Sequence, residues 1–192
     1  TDEFDVTRPN VHYAGGPLMV IAGKYVTLSG AEVIRGPDKL NFSRSILFGY
    51  AIPFTHTGVR GYYTFSDTMR FIVVVNNGWD VLNTSAVAPS DGKTLEASVA
   101  LTPIKPLSVS VVGYYGDALP FTGATYAAPR SLVDLVATYS ITDQLSVTLN
   151  ADLAKQVDAI APGADAKWNG LAAYVSWKFA EQWRMAVRGE QF

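Results

Sequence analysis

The stretch that decides the fold is "KTLEASVALTPIKPLSVSVVGYYG", residues 93–116. Apolar and polar residues alternate from Thr94 to Leu101, a turn-forming sequence "TPIKP" follows, and the alternation resumes at Leu107. A period of two places successive side chains on opposite faces of a strand, so the stretch predicts two antiparallel strands joined by a short turn. The question is which face meets water, because a soluble protein buries its apolar face whereas a membrane barrel turns that face to lipid.

The composition narrows the class of protein. The chain has 192 residues, which suits one domain, and its net charge of −2 without a basic run gives no reason to expect a nucleic-acid partner. It has no cysteine, which excludes disulfides and thiolate metal sites. Hydrophobic residues reach 48% while charged residues are only 17%, against roughly 25% in an ordinary soluble domain.

The apolar runs are too short for a membrane-spanning helix. The longest are "SILFGYAIPF" (45–54) and "FIVVV" (71–75), whereas a spanning helix needs roughly 18 residues or more. A chain that is poor in charge, rich in aromatic residues and without such a run leaves the transmembrane β-barrel as its membrane option.

The alternation recurs along most of the chain and predicts ten strands. They lie near 17–27, 44–53, 58–65, 68–77, 93–101, 107–116, 131–141, 145–154, 170–179 and 183–190. Short turns are predicted at 66–67, 102–106, 142–144 and 180–182, about 38 residues apart, and longer loops at 76–92, 116–129 and 155–170. Short turns at one end and long loops at the other are typical of outer-membrane barrels, although a soluble up-and-down barrel shares the meander.

The residues on the polar face favour the membrane barrel. They are mostly small and neutral, such as Ser98, Ser108 and Thr148, whereas a face in bulk water usually carries Lys, Glu and Arg. The charged strand residues share this inner face, and the opposite phase would place Arg and Lys in lipid at about 2–4 kcal/mol each near the midplane. Ile72 and Val74 depart from the pattern, because both are apolar at inward positions.

Several motifs resemble those of a known family. They are "GKYVTLSGAEVI" (23–34), "NFSRSILFGYAIPFTHTGVRGYYTFSD" (41–67), "VVNNGWDVLN" (74–83) and "WRMAVRGEQF" (183–192). Together they resemble the OmpL-like family of outer-membrane β-barrel porins, and the resemblance covers nearly the whole chain. It implies a β-barrel in the outer membrane of a Gram-negative bacterium, with a pore function.

The predicted fold is all-β, a transmembrane antiparallel up-and-down barrel. Residues 1–192 are assigned to a single outer-membrane barrel domain, with 1–16 expected to be irregular. Family members tend to be longer than this chain, so two interpretations stay open: an unusually short member, or part of a larger barrel.

Nine charged residues are candidate pore-lining groups. They are Arg60, Arg70, Glu96, Asp134, Asp152, Lys178, Arg184, Arg188 and Glu190. Rings of such residues can select solutes by charge, and the alternative is ordinary salt-bridge filling of a narrow lumen. The segment 29–42 is either a constriction inside the lumen or a long turn on the short-turn side, and of the two we expect the turn.

The sequence gives little support for catalysis. His56, in "PFTHTG" (53–58), could be a metal ligand or a general base near Ser43 or Ser45, but its motif is also typical of a turn. With His12 as the only other histidine and no cysteine, a metal site would lack its usual ligands. We therefore expect no enzyme activity, no catalytic residue, no metal and no cofactor. A weaker hypothesis, an outer-membrane enzyme, predicts loss of activity on His56→Ala.

Two functions of different classes follow. The first is a porin-like channel for passive diffusion of small hydrophilic solutes. The alternative is a non-conducting barrel that scaffolds a larger outer-membrane complex, because open porins need about sixteen strands. The expected partners are outer-membrane lipid, small hydrophilic solutes, and either other outer-membrane proteins or further copies of the chain.

Overall fold

A computed structural model describes residues 9–34, 39–80, 93–118 and 127–192, and the described chain is almost entirely β-structure. The strands are β1 (Asn10–Gly15), β2 (Leu18–Val26), β3 (Thr55–Ser66), β4 (Met69–Asn76), β5 (Thr94–Ile104), β6 (Leu107–Ala118), β7 (Ala128–Ser140), β8 (Leu145–Ala161), β9 (Ala164–Ala180) and β10 (Trp183–Gln191). One π-helical turn, Leu47–Ala51, lies between β2 and β3. In the described ranges, no helix is long and apolar enough to cross a bilayer.

The ten strands form one antiparallel meander. Each strand pairs with its neighbours in sequence, in the order β1 to β10. Over the described residues, β1 and β10 are the edge strands of the sheet. This is the up-and-down topology that the sequence predicts.

The two ends of the sheet differ in their connections. Short turns join the strands at 16–17, 67–68, 105–106, 141–144 and 181–182, and we call this the short-turn end. The four turns that the sequence predicts are therefore confirmed. The opposite end, which we call the long-loop end, carries the connection 27–54 and the predicted loops near 76–92 and 116–129. Most residues of those two loops lie outside the described part of the chain.

The strand faces have the phase that the sequence predicts. On β5 and β6, Leu95 and Val111 are exposed on the outer face, whereas their neighbours Glu96 and Val112 are buried on the inner face. The same alternation continues on β7, β8 and β9. An exposed apolar face opposite a buried, partly charged face is what a lipid-facing sheet requires.

Two errors in the predicted strands cancel in the total of ten. Residues 44–53 were expected to be a strand and are not, because Leu47, Phe48 and Ala51 are buried together at the spacing of a helical turn. Residues 10–15 were expected to be irregular and instead form β1, paired from Asn10 to Gly15 with β2.

The predicted loop at 155–170 is also wrong. β8 and β9 continue through most of it and are joined at Pro162 and Gly163, where the glycine has a φ of 81°. Proline followed by a glycine at positive φ suits a type II turn. Each strand has 17 residues, so the hairpin is longer than the roughly 9–11 residues per strand that a bilayer span requires.

The inward apolar residues of β4 have a partner. Ile72 and Val74 pack against Ile21 and Tyr25 of β2 in a small apolar cluster on the inner face. The departure from the polar pattern therefore marks a contact within the interior of the curved sheet rather than a change of phase.

Candidate functional site: the inner face and the segment that covers it

The connection between β2 and β3 lies on the inner face of the sheet, and we call its described residues, 27–34 and 39–54, the inner segment. Its base is closed by a hydrogen bond from the Thr27 amide to the Phe54 carbonyl at 2.8 Å, next to the paired residues Val26 and Thr55. The expectation that 29–42 is a turn at the short-turn end is therefore wrong. The segment starts from the long-loop end and folds into the interior.

Apolar side chains hold the inner segment against the sheet. Leu47, Phe48, Ala51 and Ile52 form one core with four residues of three strands, which are Tyr114 of β6, Leu132 of β7, and Ala172 and Tyr174 of β9. The fit is close, because a Cβ atom built on Gly170 would lie 2.7 Å from the Leu47 Cδ1 atom. Burial of such side chains contributes about 1.5–3 kcal/mol each.

An ionic network joins the inner segment to the last strand. Arg188 of β10 donates to Glu32 Oε1 at 3.1 Å, to Glu190 Oε1 at 3.0 Å, and to the carbonyls of Ser43 and Arg44 at 3.0 and 2.9 Å. Glu190 also accepts a hydrogen bond from the Ile46 amide at 2.6 Å. One side of the inner segment is therefore fastened to β10 through charge-assisted hydrogen bonds, which are the stronger kind.

Glu32 is the centre of this network. Its Oε1 atom also accepts hydrogen bonds from the Ser45 amide at 2.9 Å and from the Tyr174 hydroxyl at 3.3 Å. The Arg44 guanidinium lies 3.8 Å from the second carboxylate oxygen. Glu32, Arg44 and Tyr174 are not among the residues that the sequence pattern singles out, because the pattern predicts 29–42 at the wrong end of the sheet. The available signal was the "GAE" and "SRS" sequences of the quoted motifs, which lie on the inner segment.

Asn150 fastens the beginning of the inner segment to β8. Its side-chain oxygen accepts from the Ala31 amide at 3.1 Å, and its nitrogen donates to Asp134 Oδ2 at 2.7 Å. Asp134 lies directly opposite Asp152 in the pairing of β7 with β8, and both are almost fully buried. These two candidate pore-lining residues therefore lie on the inner face, beneath the inner segment.

His56 belongs to a buried network at the start of β3. Its Nδ1 atom lies 3.1 Å from the Gly78 carbonyl oxygen, and its Nε2 atom lies 3.2 Å from Glu96 Oε1. Asn76 completes the network, since its side-chain nitrogen donates to Glu96 Oε1 at 2.5 Å. The network connects β3, β4 and β5, so His56 is part of a strand and not of the turn suggested by its motif.

The partners proposed for His56 are engaged elsewhere. The Ser43 hydroxyl accepts from Arg188, and the Ser45 hydroxyl accepts from the Phe48 amide. Across the described ranges, no group of three or more His, Cys, Asp or Glu residues could hold a metal ion. The arrangement around His56 connects strands and brings neither proposed serine to the ring.

Arg60 is the fourth buried candidate, after Glu96, Asp134 and Asp152. Its guanidinium stacks on the Tyr25 ring at 4.2 Å and donates to the Val26 carbonyl at 2.7 Å. Such a cation–π contact stabilises an arginine that is removed from water. All four candidates lie on the inner face, but they are buried there and do not reach open space.

The short-turn end of the inner face is open. A cavity of about 500 Å³ there is lined by six hydroxyl residues and by two charged residues, Asp67 and Arg70, together with the apolar residues Met69, Ala100, Leu101, Val109 and Val136. The hydroxyl residues are Thr64, Ser66, Thr68, Thr102, Ser108 and Ser110. A second cavity, of about 480 Å³, lies beside β9 and β10 and is lined by Lys178 and Arg184 together with Lys39 of the inner segment. Arg70, Lys178 and Arg184 are therefore the three candidates that reach open space.

The fold and the inner face together define a class of protein. A meander of antiparallel strands with apolar side chains outside and hydrophilic side chains inside is the architecture of transmembrane β-barrels. The family model described as "Putative beta-barrel porin-2, OmpL-like" matches residues 5–192, and the chain belongs to that family. The family resemblance of the sequence motifs is confirmed, and membership points to a non-enzymatic channel or outer-membrane role. No curated protein matches the chain at a significant level of similarity.

Proposed function

We propose that the chain forms a porin-like channel in the bacterial outer membrane, through which small hydrophilic solutes diffuse passively. The observation that supports this function best is the open short-turn end of the inner face, where six serine and threonine residues line a cavity of about 500 Å³. An apolar outer surface in contact with lipid and a hydrophilic inner surface in contact with water provide a path through the bilayer for a hydrophilic solute.

The hydroxyl wall suits passive passage. Serine and threonine hydroxyls both donate and accept hydrogen bonds, so they can replace part of the water around a sugar, an amino acid or an ion. Conduction requires contacts that are favourable enough for entry and weak enough for release, and neutral hydroxyl groups meet that condition.

The inner segment is the proposed constriction of the channel. It enters from the long-loop end and runs along the inner face until its Lys39 reaches the cavity beside Lys178 and Arg184. Glu32 and Arg44 of the segment form its charged rim together with Arg188 of β10. In this proposal Arg70, Lys178 and Arg184 line the path, and Arg188 and Glu190 hold the constriction in place. Arg60, Glu96, Asp134 and Asp152 support the wall from beneath the segment.

Liposome swelling and planar-bilayer recording test the channel. We expect purified protein to admit a pentose readily, to slow a disaccharide and to exclude a tetrasaccharide, because the inner segment narrows the path. A variant in which a short Gly/Ser linker replaces residues 29–52 should conduct more and admit the disaccharide. No conductance above the lipid background in either protein would overturn the proposed function.

A second candidate, a non-conducting scaffold barrel, is favoured by one observation. The inner segment fills the long-loop end with a packed apolar core that includes Leu47, Phe48 and Ile52. Conductance in the linker variant but not in the native chain, together with a stoichiometric outer-membrane partner on native gels, would support this candidate over an open channel.

A further inference from the structure

The charges on the inner face are not distributed evenly along the strands. Arg70, Lys178 and Arg184 are the inward charged residues that lie within three positions of a short turn in the described strands, and all are cations. The inward acids Glu96, Asp134 and Asp152 lie farther from the short turns and are almost fully buried. The accessible charges on the strands at the short-turn end are therefore all positive, and the acids that line the same cavities, Asp67 and Glu181, lie in the turns.

Two of these cations are direct neighbours. Arg184 of β10 lies opposite Lys178 of β9 in the strand register, and both side chains are exposed. Like charges placed directly opposite each other on one sheet face destabilise the pair. Over the described ranges, neither side chain has an ion pair or hydrogen bond, in contrast with Arg188, which lies four residues farther along β10.

A third cation completes the arrangement. Lys39 of the inner segment lines the same cavity of about 480 Å³, where its Nζ atom donates to the Phe42 carbonyl at 2.9 Å. Glu181 is the acid among the described lining residues, so three cations face one carboxylate. A small anion seated between the cations would remove the repulsion between Lys178 and Arg184.

We propose that the cavity formed by Lys39, Lys178 and Arg184 is a binding site for small oxyanions, which concentrates phosphate- or carboxylate-bearing solutes at the short-turn mouth. The proposal rests on the proposed channel function and names its solute class. The Arg184 guanidinium offers paired N–H donors that match the geometry of an oxyanion, and the two ammonium groups add rotatable donors. The strength of attraction falls with salt, because the site is open to water.

Ion selectivity tests the proposal in a conducting channel. In phosphatidylcholine bilayers under a tenfold KCl gradient, the native protein should prefer chloride over potassium. The double variant Lys178→Gln/Arg184→Gln should lower that permeability ratio at least threefold. The control Lys105→Gln/Lys167→Gln removes the same charge from a turn and from the outer face, and should leave the ratio unchanged.

Direct binding tests the site even if the protein does not conduct. Calorimetric titration of inorganic phosphate into protein in a non-ionic detergent, at low ionic strength, should give an affinity that falls about tenfold in the double variant and is kept in the control. Phosphatidylcholine and the non-ionic detergent carry no net anionic headgroup. If selectivity or binding appeared only after anionic lipid was added, the site would serve lipid headgroups and the solute proposal would be wrong.

The outcomes separate the two proposals. Absence of conductance with retained phosphate binding would contradict the channel and keep the anion site. Conductance without anion preference, or equal phosphate affinity in the native protein and the double variant, would contradict the anion site and keep the channel.

Discussion

The two ends of the inner face are built from the same strands, but charged side chains are buried at one end and exposed at the other. At the long-loop end, the inner segment covers the wall, and Arg60, Glu96, Asp134 and Asp152 are almost fully removed from solvent. At the short-turn end the wall is open, and Lys178 and Arg184 extend into a cavity. The comparison shows that one continuous alternation of side chains can build both a packed interior and an open mouth.

The contribution of a charged side chain to the free energy of folding also differs between the two ends. A charge that is buried without a partner costs several kcal/mol, so the covered end needs its hydrogen-bond networks around Glu32, Glu96 and Asn150. Exposed charges at the open end contribute only about 0–1 kcal/mol each, so function rather than stability can determine which residues occupy these positions. Substitutions should therefore affect stability at the covered end and solute selection at the open end.

The largest effect is expected at Arg188. Arg188→Ala leaves Glu190 without its cation and leaves Glu32 with only Arg44, at 3.8 Å. The side chains of Arg188 and Glu32 are each only 11% exposed. We expect unfolding in guanidinium, followed by tryptophan fluorescence in detergent, to show a loss of about 3–5 kcal/mol.

The matched control for Arg188 lies four residues earlier on the same strand. Arg184→Ala removes an exposed arginine and should change the free energy of unfolding by less than about 1 kcal/mol. Equal losses for the two variants would show that the covered and open ends do not differ in the way described here.

The next effect is expected in the apolar core of the inner segment. Leu47→Ala removes a side chain that is 1% exposed and leaves a cavity against β9, so we expect a loss of about 2–4 kcal/mol in the same unfolding measurement. The adjacent Ile46 is 42% exposed, and Ile46→Ala should cost less than about 1 kcal/mol. A larger loss of stability for Ile46→Ala than for Leu47→Ala would show that Ile46, and not Leu47, packs against the sheet.

A third test compares the available space at the two ends. Ala172→Phe inserts a ring into the covered core, where Ala172 is fully buried, and should destabilise the protein by about 2 kcal/mol through overpacking. Ala100→Phe places the same ring in the open cavity of about 500 Å³ and should be nearly neutral for stability. Ala100→Phe should instead reduce single-channel conductance, whereas a large loss of stability there would argue against an open mouth.

The smallest effect is expected at a glycine beneath the inner segment. Gly170→Ala places a methyl group 2.7 Å from Leu47 Cδ1 and 2.9 Å from Leu47 Cγ, so the buried leucine must shift. We expect a loss of about 1 kcal/mol, as for other small overpacking changes. Gly189→Ala is the control, because its new methyl group meets nothing within 4 Å. The same thermal-unfolding midpoint for both variants would contradict the close packing of the segment on β9.

The strand faces could be predicted because they depend on a local rule. From Leu95 to Val111 and onward, every second side chain shares a face whatever the rest of the chain does, and the cost of placing arginine in lipid fixes which face is inside. The short turns followed from proline and polar residues that interrupt the alternation. The nine candidate pore-lining residues came from the same phase, and their role in a pore stays a prediction.

The apolar run 45–54 shows where local rules stop. A short hydrophobic run suits a strand as well as a buried helical turn, and periodicity over ten residues does not separate them. Only the contacts of Leu47 and Phe48 with Leu132 and Tyr174, far away in sequence, select the helical turn. The prediction of 29–42 failed for the same reason, since the strand residues that hold Ala31 and Glu32 (Asn150, Tyr174 and Arg188) lie more than 100 residues away.

The amino-acid sequence by itself determined the meander, the lipid-facing stripe, the hydrophilic stripe and the family, because each depends on neighbours along one strand or on contiguous motifs. The tertiary structure decided which charges are covered and which are open. That choice depends on where the segment between β2 and β3 lies, and its position is set by long-range packing and by the cost of burying unpaired charge. The division between a filled and an open end of the interior is therefore a property of the folded chain.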